Sequence, residues 1–113
     1  MNYERELTAL YVAFNAREID QLLDAMTDDV DWPNAREGGR LHGKEAIRDY
    51  WTRQWSEIDP TVEPVSFTRR PDGCIAVDVQ QVVRALDGSL VSEARVVHVY
   101  TLRGGLVAGM EVE

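Results

Sequence analysis

The chain has 113 residues, with 12 Lys and Arg against 20 Asp and Glu for a formal net charge of −8. That length suits one domain over residues 1–113, because two would each fall near the lower limit for an independent core. The acidity excludes a nucleic-acid or anionic-membrane surface: phosphates need clustered Lys and Arg, and the basic residues here are scattered among carboxylates.

Cys74 is alone and has no internal disulfide partner, and His42 and His98 lack metal-ligand spacing, so neither metal nor cofactor is expected. No apolar run approaches the roughly 20 residues of a membrane span. The first residues lack the basic-then-apolar layout of a signal peptide, and a cytoplasmic protein is expected.

In chain order, Leu7, Leu10, Tyr11 and Phe14 recur at the three- and four-residue spacing of one helix face. Ile19, Leu22, Leu23 and Met26 make a second, shorter helix. Thr27, Asp28 and Asp29 end it, because short polar side chains compete for the backbone. Val30, Trp32 and Asn34 then alternate with Asp31 and Pro33 in a short strand, followed by a polar, glycine-bearing loop over 35–40. After Gly43, a third helix carries Ile47, Tyr50, Trp51, Trp55 and Ile58 on one stripe, with Gln54 set among them. Asp59-Pro60 closes it, since the residue before proline is pushed out of helical geometry.

From Thr61 onward the pattern is that of strands. Val62, Pro64, Val65 and Phe67 precede a Pro71-Asp72-Gly73 turn; Asp87-Gly88 separates two valine-rich runs, and Gly104-Gly105 leads into the last strand. Helices first and an antiparallel meander after them make an α+β domain. In the strand over 90–103, Val96, His98, Tyr100 and Leu102 share one face while Val97 and Val99 occupy the other. Two apolar faces need two covers. The helices supply one, and a second copy of the chain is expected on the other, giving a homodimer through the outer sheet face.

Several segments match a known pattern in order and spacing: the paired opening helices, Asp28-Asp29-Val30-Asp31-Trp32, Leu41-His42-Gly43-Lys44-Glu45-Ala46-Ile47, and His98-Val99-Tyr100-Thr101-Leu102-Arg103-Gly104-Gly105-Leu106. Together they resemble the SnoaL-like and ketosteroid isomerase-like proteins of the nuclear transport factor two superfamily, over essentially the whole chain. The resemblance implies a curved antiparallel sheet wrapped on three N-terminal helices, a cystatin-like cone with an internal pocket. It also implies pairing through the outer sheet face. That family hosts isomerases, cyclases, dehydratases, hydrolases and binding proteins, so function must be read from the inward residues.

Placed on that fold, Trp32, Asn34, Tyr50, Trp51, Gln54, Trp55, His98, Tyr100, Met110 and Val112 face inward, and Tyr11 and Phe14 close one wall. An aromatic cavity with a few convergent polar groups suits a small organic ligand. The base of the isomerases falls on Asn34, which cannot accept a proton, and their second oxyanion donor falls on His98. SnoaL-type cyclases are similar in keeping a histidine on this strand. Their acidic residue on the last strand has no clear equivalent, because alternation points Glu111 and Glu113 outward.

Asp78, if inward, is the carboxylate that would serve as base beside His98, with Gln80 contacting substrate. The expected function is a cofactor-independent lyase, isomerase or cyclase acting on a small, neutral, apolar carbonyl compound. The alternative is a non-catalytic ligand-binding or dimeric assembly module of the same fold.

Overall fold

The computed structural model describes residues 3–34 and 38–113; residues 1–2, and 35–37 of the expected loop, lie outside the described part. Helices α1 (Tyr3–Asn15) and α2 (Ile19–Asp24) lead into strands β1 (Met26–Pro33) and β2 (Arg40–His42), then helix α3 (Lys44–Glu57). Four strands follow: β3 (Ile58–Arg69), β4 (Ile75–Ala85), β5 (Leu90–Arg103) and β6 (Leu106–Val112). All six strands form one curved, unclosed sheet in the order β2-β1-β6-β5-β4-β3, with the helices packed against one face. The β3-to-β6 segment is the antiparallel meander of the sequence reading, and β1 lies parallel to β6. None of the described helices is long and apolar enough to cross a membrane.

The helices form where the apolar stripes predict them. Leu7, Leu10 and Tyr11 of α1 are buried, and Glu4 and Glu6 put negative charge at the helix's positive end. Beyond the last turn, Arg17 adopts a left-handed conformation (φ 62), which glycine more often supplies. Its guanidinium holds that turn by donating to the Phe14 carbonyl, pairing with Asp59 and lying over the Phe14 and Trp55 rings.

Three boundaries differ from the sequence reading, each for a non-local reason. Met26 belongs to β1 and not to α2, because it pairs with Val107 of β6. The short strand β2 takes residues read as a loop and a helix entry, and Leu41 of β2 sits opposite Trp32. Helix α3 stops at Glu57, and Ile58 is already extended, opposite Ala85 of β4. Pro60 thus falls within β3, an edge strand, where a missing N–H is tolerated.

Alternation along β4 fixes which side chains meet the helices. Ile75, Val77 and Val79 are buried to 2% exposure or less, and Gln81 and Val83 continue that face. Ala76, Asp78 and Gln80 occupy the other. This outer face is more polar than a two-sided apolar sheet would be. Ser66 donates to Asp78, and Gln80 joins Glu93 and Arg95, beside Val97 and Val99. Where β6 runs beside β1, Gly109 permits the approach, since a Cβ there would stand 3.3 Å from the Asp31 carbonyl oxygen.

Candidate functional site

Between the helices and the inner sheet face lies a cavity of about 260 Å³. Leu10, Tyr11 and Phe14 of α1 and Tyr50, Trp51 and Gln54 of α3 form its helical wall. The sheet contributes Trp32 from β1, His98 and Tyr100 from β5, and Met110 and Val112 from β6. Ile58, Pro60 and Val62 of β3, Gln81 and Val83 of β4, Leu22 of α2 and Pro33 of β1 complete it. Among the described residues no carboxylate, lysine or arginine lines this space. The interior is therefore apolar and aromatic, with three polar side chains besides the tyrosines.

Aromatic edges and faces set its shape. Trp32 meets Trp51 edge to face at 5.6 Å between ring centroids, and Phe14 meets Trp51 in the same manner at 5.7 Å. Such geometry aligns the positive rim of one ring with the negative face of the next. Arg40 fixes the β1–β6 side from outside the cavity, donating to the Asp31 carboxylate (2.9 Å) and the Met110 carbonyl (2.8 Å). It also binds Glu111, while Arg70 binds Glu113, so the carboxylates in β6 and just beyond it are both engaged away from the cavity.

The polar centre is a chain of three side chains. Tyr100 OH donates to Tyr11 OH at 2.8 Å, and Tyr11 OH meets His98 Nδ1 at 2.8 Å. One proton arrangement leaves no buried hydroxyl hydrogen without an acceptor: Tyr100 to Tyr11, then Tyr11 to Nδ1. The reverse direction would strand the Tyr100 hydrogen. Nδ1 thus accepts, and the proton of the neutral ring sits on Nε2, which has no hydrogen-bond partner among the described residues.

Burial enforces this neutrality. His98 is 7% exposed, and desolvation pushes its pKa down to about 4. Desolvation also raises the Tyr11 hydroxyl far above the ordinary phenol range, with the neighbouring Tyr100 adding to the effect. Tyr100 is raised by the same burial. At neutral pH the site is an uncharged imidazole N–H, backed by two uncharged phenols and surrounded by aromatic rings. Chemically it can donate a hydrogen bond to an acceptor atom; it holds no group poised to remove a proton.

Of the residues anticipated from sequence, Trp32, Tyr50, Trp51, Gln54, His98, Tyr100 and Met110 line the cavity. Asp78 and Gln80 do not. They lie on the outer face, bonded to Ser66, and to Glu93 and Arg95, because the inward parity of β4 runs through odd-numbered residues. Asp78 is thus not placed to act as a base toward His98. Trp55 stands behind the wall, stacked on Trp51 at 5.8 Å and packed against Phe14. Asn34 follows β1, where its backbone closes a turn with Gly38 and Gly39, and is not part of the lining.

Two residues carry more of the site than their sequence pattern alone indicates. Gln81 continues the Ile75, Val77, Val79 alternation, a signal present in the sequence. Tyr11, read as a wall, is the link between His98 and Tyr100, and no spacing rule reveals that.

Comparison with known proteins places this geometry in context. The sequence matches the SnoaL-like domain over residues 7–110. No curated protein is significantly similar in sequence. An uncharacterised cystatin-fold protein from Novosphingobium aromaticivorans is 26% identical, covering 100% of this chain and 98% of that one, with a TM-score of 0.83. TerC, co-crystallised with polyporic acid, is 24% identical over 98% of this chain and 88% of that one, TM-score 0.82. A Mycobacterium tuberculosis protein in complex with estradiol-17β-hemisuccinate is 22% identical over 91% and 85%, TM-score 0.78. The last two likenesses establish a shared fold.

Proposed function

The chain belongs to the SnoaL-like domain family, and on that premise we propose that its cavity binds a small, uncharged, largely apolar carbonyl compound. The carrying observation is the Tyr100–Tyr11–His98 chain, which holds a neutral imidazole with its Nε2–H free in an aromatic cavity. A carbonyl oxygen is the natural acceptor for that hydrogen. A phosphate or carboxylate would arrive among groups that offer no compensating charge. The co-crystallised ligands of two fold relatives support a ligand-holding role for such a cavity.

Binding without catalysis is the reading favoured by the lining, which supplies a donor and no base. A lyase, isomerase or cyclase reading rests on one specific feature: a neutral imidazole donor in an apolar, largely buried site is an electrophile able to assist enolisation. In that reading the base is water or a group on the substrate. We further propose that the protein works in the cytoplasm as a homodimer paired through the outer sheet face.

Acetophenone and its carbonyl-free counterpart ethylbenzene test the assignment. By tryptophan fluorescence, His98→Leu is expected to weaken acetophenone roughly tenfold and leave ethylbenzene within twofold. Equal losses for both compounds would remove His98 as the carbonyl donor. Deuterium incorporation into the acetophenone methyl group, faster with wild type than with His98→Leu, would support the catalytic reading. No difference supports binding alone.

A further inference from the structure

The cavity has a second polar pole, away from His98. On β4, Val77 is opposite His98, and Gln81 lies four residues further along the same inward face, opposite Ala94. At the ordinary rise of a strand this separates the two levels by about 13 Å. Gln81 replaces the apolar residue that Ile75, Val77 and Val79 lead one to expect there. Its side-chain amide lines the cavity and makes no hydrogen bond to any described residue. Gln54, on the facing α3, donates from Nε2 to Tyr50 OH at 3.3 Å, which leaves its carbonyl oxygen open.

We infer that this site takes an elongated, uncharged ligand with two polar ends, a carbonyl on His98 and a hydroxyl on Gln81, with Gln54 helping to hold that hydroxyl. The inference rests on the carbonyl assignment of His98 and deepens it. A half-buried amide that can both donate and accept suits a hydroxyl, which does the same. An ionised group has no countercharge among the described lining residues at either pole. Apart from these polar groups the lining is aromatic and aliphatic surface, including Trp32, Trp51 and Leu10, which matches a rigid apolar body. Gln81 is on this reading a specificity-determining residue: it selects for length and for the far hydroxyl.

Three rigid probes separate the poles: acetophenone, 4-acetylbiphenyl and 4-acetyl-4′-hydroxybiphenyl, titrated calorimetrically. Wild type is expected to bind the hydroxylated biphenyl about fivefold or more tighter than its unsubstituted partner. Gln81→Leu, a change of similar volume, should erase that preference by weakening the hydroxylated compound alone. His98→Leu should weaken all three compounds while keeping their ratio. A preference that survives Gln81→Leu overturns the inference and leaves the carbonyl assignment standing. So does binding of acetophenone with neither biphenyl bound. Ketone affinities indifferent to His98→Leu overturn the carbonyl assignment itself, and the two-ended ligand with it.

Discussion

His98 carries its proton economy in its surroundings. Its pKa is about 4 in the folded chain against 6.5 in an unfolded one, so between those values the unfolded state binds more protons. Stability therefore falls as pH drops from 6.5 toward 4, by about 3 kcal/mol in all. The slope fades above pH 6.5, as the unfolded-state imidazole also loses its proton. Chemical denaturation at pH 7 and pH 4.5, comparing wild type with His98→Gln, checks this: the variant should lose much of the acid-side decline. An unchanged decline would mean that other groups cause it. The same scale shows how legible the site was. His98, Tyr100 and the tryptophans were readable because strand and helix periodicity point them inward. Choosing between Gln80 and Gln81 required only that the Ile75–Val79 alternation be carried two residues further. The Tyr11–His98 bond was beyond reach, because it joins a helix to a strand through tertiary packing.

At the scale of elements, one amide pins the end of α1 to the edge strand of the sheet. Asn15, the last residue of α1, donates from Nδ2 to the Val62 carbonyl (2.8 Å) and accepts from the Val62 N–H (2.9 Å), so it pairs with β3 as a further strand residue would. Removing it leaves both backbone groups of an inward-facing residue without that partner. Asn15→Ala is expected to lower unfolding free energy by about 1–2 kcal/mol and to speed hydrogen exchange at the Val62 amide. An exchange rate unaltered by the substitution would show that β3 is held there without Asn15. The three helices and the β3-to-β6 meander were legible because each rests on local periodicity and on glycine-bearing turns. The start of β1, the whole of β2 and the parallel β1–β6 pairing were not, since those strands are specified by partners remote in sequence.

For the molecule as a whole, the outer sheet face decides whether the chain acts alone. Val97 and Val99 form an apolar strip there, but Asp78, Glu93 and Arg95 surround it, on a chain of net charge −8. Two such faces repel through their excess carboxylates, so pairing should tighten as salt screens them. Sedimentation equilibrium is expected to give twice the chain mass, with dissociation favoured at low ionic strength and by Val97→Glu. A single-chain mass at all salt concentrations up to millimolar protein would refute the dimer. The sheet order has another consequence. β6 sits between β1 and β5, so without it the sheet falls into two unconnected pieces, β2-β1 and β5-β4-β3. Closing that gap joins strands from opposite ends of the described chain, the kind of long-range pairing that slows folding. Met110 and Val112 arrive in the cavity with the same step. The binding site is thus assembled by the strand pairing most remote in sequence among the described residues, and occupancy by any ligand would act as a lock on the completed sheet, raising global stability by mass action.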